Sequence, residues 1–162
     1  MPNPALDAFD RKILALLQSD GRMTNQQLSE RIGLSPSPCL RRLRRLETAG
    51  VITDYVTLVD PGALGLDVTA FVTVRLERQD DRHLATFEQA VAEFPEVMEC
   101  YLMSGDADYQ LRVLVESLSA FEDFLRLKLT RIDGVAQVTT SFALRPVVYK
   151  TALPLSADAT DG

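Results

Sequence analysis

The 162-residue sequence contains one histidine, His83, and two cysteines, Cys39 and Cys100. A single imidazole removes most nucleophilic triads, most zinc sites and histidine-based metal clusters. The cysteines fall in segments assigned below to different domains, and no C-x-x-C spacing occurs, so a disulfide framework is not expected. Both read as reduced, semi-buried thiols. No G-x-S-x-G, phosphate-binding loop or dinucleotide fingerprint is present. No apolar run reaches the roughly 18 residues that span a bilayer, so no membrane partner is expected. Met1-Pro2-Asn3-Pro4 lacks the basic-then-apolar pattern of a secretion signal, which predicts a cytoplasmic protein.

What is present is ordinary in amount and uneven in distribution. The hydrophobic fraction is 46% and the charged fraction 25%, as in globular domains. The net charge of −6 argues against a nucleic-acid binder until it is divided. Residues 1–60 carry 8 basic and 7 acidic side chains, and residues 61–162 carry 9 and 16. Half of the basic residues in the first segment are Arg41, Arg42, Arg44 and Arg45, so only this region can approach a polyanion.

The first 60 residues predict three helices and a strand. Asp7 is a candidate cap for a helix with Phe9, Ile13, Leu16 and Leu17 on one face, ended by Ser19-Asp20-Gly21. Thr24 and Gln27 have capping-box spacing, Leu28 and Ile32 face inward, and Gly33 makes the turn. Ser35 caps a third helix whose Pro36 and Pro38 lie in the first turn, where a missing N–H costs nothing. Leu40, Leu43 and Leu46 continue its apolar stripe to Gly50. Residues 51–58 are β-rich and predict a strand or short wing, and Asp60-Pro61-Gly62 marks the domain boundary.

The remainder predicts strands at 68–76, 97–103, 109–115 and 135–150, with a helix over 80–94. A second helix is introduced by a Ser119/Glu122 capping box, with Leu118, Phe121, Leu125, Leu129 and Ile132 inward. The order β-α-β-β-α-β is the split βαβ, ferredoxin-like arrangement. The fold class is therefore α+β: an N-terminal winged helix-turn-helix domain, 1–60, and a ferredoxin-like domain, 61–150. Residues 151–162 predict a loose tail. In the first strand Val68, Ala70, Val72, Val74 and Leu76 face one way, and Phe71 faces the other with Thr69, Thr73 and Arg75. That second face calls for a partner subunit, unless it is a half-solvated face with one stray aromatic.

The unit from Thr24 to Gly50 has helix-turn-helix spacing, which lets its second helix lie in the major groove of double-stranded DNA. With the leucines inside, Ser37, Arg41, Arg42, Arg44 and Arg45 are left outside, and arginine can grip guanine or phosphate. Ser35, Ser37 and Pro38 begin this helix at the positive end of its dipole. Thr24 and Asn25 begin the preceding helix and are candidates for backbone contacts.

Two segments carry a family resemblance. The run from Leu34 to Glu47, with Asp10-Arg11-Lys12-Ile13-Leu14 and Asp20-Gly21-Arg22-Met23-Thr24-Asn25 before it, resembles Lrp/AsnC transcription regulators. Ser104-Gly105-Asp106-Ala107-Asp108-Tyr109 is similar to that family's G-D-x-D-Y loop, and residues 138–144 also fit. The resemblance covers about residues 6–150. It implies a regulator rather than an enzyme. It also implies a homodimer assembling to tetramers or octamers, pseudo-palindromic DNA as target, and an amino-acid effector with no cofactor or metal. The effector would lie between dimers, against Met103, Ser104, Gly105, Asp106, Asp108 and Tyr109, with Thr140, Ser141 and Phe142 from the last strand. Asp106 or Asp108 would accept the ammonium, and Met103, Tyr109 and Phe142 would line an apolar pocket. The run from Tyr149 to Leu155 resembles a subgroup responding to varied amino acids, or packs against a neighbouring subunit. Two other readings use the same plan: an architectural, nucleoid-type DNA protein of low specificity, and a tetrapyrrole decarboxylase-like enzyme.

Overall fold

The computed structural model describes residues 5–155. Residues 1–4 and residues 156–162 of the expected tail lie outside them. The chain divides into two compact units: residues up to Leu58 together with those from Val148 onward, and Val59–Val147.

Helix α1, Ala8–Ser19, begins with a capping box. The Asp7 carboxylate accepts the Phe9 and Asp10 N–H groups at 2.9 and 3.0 Å, and the Asp7 N–H donates back to Asp10 Oδ2 at 3.1 Å. These bonds satisfy donors that a bare helix end would leave open. Helix α2, Asn25–Ile32, has the Thr24/Gln27 box as expected, and Gly33 turns the chain at φ 73°, a conformation that favours glycine. Helix α3, Pro36–Thr48, follows. Ile13, Leu14, Leu28, Ile32, Cys39 and Leu46 form the buried centre of this unit. The Asn25 amide donates to the Pro36 carbonyl at 2.9 Å and ties α2 to the start of α3.

Two expectations for this unit are corrected. Residues 51–58 carry no strand: the Val51 and Ile52 N–H groups close the end of α3 on the Leu46 carbonyl at 2.9 and 3.2 Å, and no edge lies alongside the residues that follow. Nor is the start of the C-terminal tail loose. The Gln18 amide donates to the Leu153 carbonyl at 3.1 Å and accepts the Leu153 N–H at 2.6 Å, and Leu155 packs on the apolar centre. The run resembling a family subgroup thus packs against helix α1 of its own chain.

The second unit is a four-stranded antiparallel sheet, order β2-β3-β1-β4, with helices α4 and α5 on one face. The strands are β1 Val68–Leu76, β2 Val97–Leu102, β3 Tyr109–Val115 and β4 Val135–Phe142, and the helices are α4 Asp81–Ala92 and α5 Leu118–Leu127. Central β1 pairs with both β3 and β4. Its alternation buries Ala70, Val72 and Val74 under Phe87 and Val91 of α4 and Phe121 and Phe124 of α5. Burial of each large apolar side chain stabilises by about 1.5–3 kcal/mol. Gly134 turns into β4 at φ 87°, and a Cβ there would meet His83 Cδ2 at 2.9 Å.

Boundaries differ from expectation in two places. The cap of α5 is Ser117, which accepts the Ala120 N–H at 3.1 Å, not Ser119, and a 3-10 turn at Leu129–Arg131 continues the stripe beyond the helix. Strand β4 stops at Phe142 rather than running to 150. Its partner β1 begins at Val68, so the ladder ends with the Ala143 N–H on the Thr69 carbonyl, and Pro146 could not extend it.

Gln18→Ala removes both bonds to Leu153, each with a net worth of about 0.5–1.5 kcal/mol. The expected outcome is earlier proteolytic cleavage within residues 148–155, with amide exchange in β1 and β3 unchanged. Limited proteolysis with mass spectrometry and hydrogen exchange measure the two.

Candidate DNA surface and effector cleft

The start of α3 is shaped by its two prolines. A capping hydroxyl bonds the N–H two or three residues on. Three residues beyond Ser35 is Pro38, which has no N–H, and Ser35 makes no side-chain cap bond. The expectation that Ser35 caps by its hydroxyl is therefore corrected. The Ser35 and Ser37 side chains both stay exposed with no bond inside the fold.

The four arginines divide. Arg42 Nη1 reaches Asp7 Oδ2 at 2.6 Å and Asp10 Oδ1 at 3.0 Å, and its guanidinium lies 5.2 Å from the Phe9 ring centre. Arg45 Nη2 bonds the other oxygen of Asp10. The Asp10 carboxylate is 0% exposed, while the Arg42 and Arg45 side chains are 26% and 53% exposed. Arg42 was expected on the DNA face; it is turned toward α1 because a buried carboxylate needs a cation. Arg45 is shared between the two. Arg41 and Arg44 are exposed and have no partner among the described residues, and helical geometry places them with Ser37 on one outward side. The Thr24 hydroxyl is engaged in its cap, and the Asn25 amide gives one of its two N–H groups to the Pro36 carbonyl and keeps the other.

In the second unit the expected effector residues separate into three groups. Met103, Ser104, Gly105 and Asp106 lie on the exposed β2–β3 turn, with Gly105 at φ 130°. Asp108 is internal: its carboxylate accepts the Leu76 N–H at 2.7 Å and the Gln79 amide at 2.6 Å. Tyr109 is internal too, stacked at 4.5 Å on Phe87 with its hydroxyl donating to Glu88 at 2.8 Å. Burial and that carboxylate push its phenol well above the ordinary value. On β4 the alternation sends Thr140 and Phe142 to the helix face, Phe142 against Phe121 at 5.1 Å, and Ser141 to the open face. Within one protomer the expected residues thus divide between the exposed turn, the interior and the two faces of the sheet.

A different set does meet. Thr73 and Arg75 of β1, Gln137 and Thr139 of β4, and Asp106 and Ala107 of the turn line a cleft of about 210 Å³ on the open face. Arg75 and the β4 pair were not expected there, although alternation had placed Thr73 and Arg75 on that face. The face as a whole is more polar than Phe71 suggested, since Glu99 and Arg112 pair across it at 2.6 Å.

The N-terminal unit matches a winged helix-turn-helix DNA-binding family over residues 6–53. Residues 69–153 match the Lrp/AsnC ligand binding domain. The chain belongs to the Lrp/AsnC family. It is 45% identical to the Bkd operon transcriptional regulator of Pseudomonas aeruginosa, with 93% of this chain and 98% of that protein covered. It is 46% identical to a leucine-responsive regulatory protein of Rhizobium meliloti, with 88% and 91% covered. Among solved structures, a transcriptional regulator of Neisseria meningitidis in complex with L-Met superposes with a TM-score of 0.88 at 40% identity, covering 93% of this chain and 97% of that one. As an Lrp/AsnC protein the chain is a transcription regulator with a DNA-binding helix-turn-helix and a ligand-binding domain, and not an enzyme. His83, the one imidazole, holds Asp80 at 2.7 Å beside the cap of α4. Cys39 is buried in the N-terminal core, which pushes its thiol up, and Cys100 is exposed on β2. Among the described residues, no group of three metal-ligating side chains occurs and no helix is long and apolar enough to cross a membrane.

Acid should loosen both units of this Lrp/AsnC protein. Burial raises the Asp7 carboxyl, but the Asp10 N–H and the Arg42 guanidinium outweigh it and hold it below its ordinary 3.8. Arg112 holds Glu99 below 4.5. A depressed folded pKa contributes stability that is complete above the unfolded value and is lost as pH falls through the folded one. The expected outcome is a melting temperature that drops below about pH 4, measured by circular dichroism from pH 7 to pH 3.

Proposed function

We propose that this regulator binds pseudo-palindromic DNA as a homodimer or a higher assembly of dimers, and that a free amino acid taken at the β2–β3 turn sets its affinity. The observation that carries the DNA half is the outward set on α3: Ser35, Ser37, Arg41 and Arg44, exposed and unbonded, with Arg45 half-committed to Asp10. Paired recognition helices would enter successive major grooves about one helical turn apart. Support for a second copy comes from large apolar side chains left in solvent: Tyr55, Val56 and Leu58 in one segment, and Leu144, Val147 and Val148 in another, Leu144 at 99% exposure.

The effector half rests on Asp106. It is exposed beside Gly105 and has no bond within the described residues, whereas Asp108 is buried with each oxygen bonded inside the fold. An ammonium group can be taken by Asp106 and a carboxylate by backbone N–H groups of the turn. The L-Met complex of the neisserial regulator supports an amino acid as the ligand class. A ligand that prefers one assembly shifts the oligomer balance and so DNA affinity. Seating the ligand between dimers gives it that preference. Such a regulator acts in the cytoplasm.

Arg41→Ala with Arg44→Ala should weaken operator binding and flatten its salt dependence, by about 0.9 in slope for each phosphate that is no longer neutralised, with the assembly unchanged by light scattering. Arg42→Ala should instead lower the melting temperature. Fluorescence anisotropy across a salt series reads the first effect. A specific to non-specific affinity ratio near one at fixed salt would favour the architectural reading. Asp106→Ala should weaken effector binding by calorimetry while leaving DNA affinity without effector intact; full amino-acid affinity in that variant would move the site away from the turn.

A further inference from the structure

The cleft of about 210 Å³ beside the β2–β3 turn has a chemistry that the turn alone does not account for. Strand register makes Thr73↔Thr139 and Arg75↔Gln137 adjacent cross-strand pairs on the open face. Val74 contributes backbone only, because its side chain is fully buried on the helix side. The side chains around the space are two hydroxyls, an amide, a guanidinium and the Asp106 carboxylate, with Ala107 the one apolar member.

The two charges are unspent. Arg42, Arg45, Arg112 and Arg126 each hold a carboxylate. Arg75 has no ion pair or side-chain hydrogen bond among the described residues, and neither has Asp106, although both line one small cleft. A guanidinium and a carboxylate that face the same space without bonding across it complement a ligand that carries both charges. Guanidinium can take a carboxylate through two parallel bonds. The volume suits one amino acid and falls short of the roughly 300–1,000 Å³ of larger ligand sites.

We propose that Arg75 binds the effector's carboxylate, and that Thr73, Thr139 and Gln137 select an amino acid with a hydrogen-bonding side chain. This rests on the reading that the turn takes an amino acid, and it changes the pocket from the apolar one expected of Met103, Tyr109 and Phe142. With Asp106 on the ammonium and Arg75 on the carboxylate, the effector side chain meets Thr73, Thr139 and Gln137. The Gln137 amide offers both a donor and an acceptor. An aliphatic side chain would strip water from these groups and return no bond, a cost that a hydrogen-bonding side chain avoids.

The test is titration calorimetry on the full chain with L-serine, L-threonine, L-asparagine, L-glutamine, L-leucine and L-methionine, and with the carboxamide of whichever binds tightest. The polar amino acids should bind more tightly than leucine and methionine, and the carboxamide should bind weakly. Arg75→Gln should lose about 10- to 100-fold for the free acid, the range for a charge-assisted bond, and little for the carboxamide, so that the two probes converge. Arg75→Lys should keep part of the preference, and it decides the matter if Arg75→Gln does not fold by circular dichroism. Unchanged affinity in the folded Arg75 variants overturns the assignment and leaves the amino-acid reading standing on Asp106. Tighter binding of leucine or methionine overturns the polar class. Absence of binding by every amino acid removes the amino-acid reading and this inference together.

Discussion

Strand β1 has two faces and two neighbours, and the C-terminal unit is organised by that constraint. Pairing with β3 and β4 fixes its register on both sides. A slip of one residue would carry Ala70, Val72 and Val74 into solvent and Phe71, Thr73 and Arg75 into the core. The apolar face is therefore sealed by α4 and α5, and the same alternation, continued across β4, places Gln137 and Thr139 beside Thr73 and Arg75. The core and the cleft are two sides of one pattern. Packing that stabilises the first also holds the second in place, which is the condition a recognition site needs.

In the N-terminal unit the governing factor is charge. A fully buried Asp10 would be intolerable alone, and it is made tolerable by two arginines from α3 and the Asp7 N–H. The bonds from Asp10 to these arginines fix the rotation of α3 about its axis, and so decide which arginines remain outside. The prolines do the same for the helix start. Pro38 withholds one of the two N–H groups that a Ser35 cap could use, and the Ser35 and Ser37 hydroxyls stay exposed where the dipole is positive. The outward surface is what the fold does not consume.

Much of this was legible in the sequence, and the parts that were not share a cause. Helices α1 to α3 carry their own capping residues and 3.6-residue stripes, and the strands carry alternation, so elements and topology followed from local pattern. The inward turn of Arg42 did not, since its partners Asp7 and Asp10 lie more than thirty residues away. The G-D-x-D-Y run looked like one site because its residues are consecutive, yet β3 begins within it and draws Asp108 and Tyr109 inside. Thr140 and Phe142 part from Ser141 for a related reason: adjacent strand residues point to opposite faces. Arg75 was visible on the open face, but its neighbour Gln137 came only with the β1–β4 register. What local periodicity could not supply was long-range pairing.

The return of residues 148–155 to α1 has a bearing on how the protein is made. The bond between Gln18 and Leu153 spans 135 positions, and the whole ferredoxin-like unit lies between them. Synthesis proceeds at about 5–20 residues per second, and N-terminal units generally fold first. Here helices α1 to α3 emerge early but receive Leu153 and Leu155 only after β4 has been made. The DNA-binding unit is therefore completed by residues that follow its sensor, and a nascent chain carries an unfinished reader until the sensor has been translated.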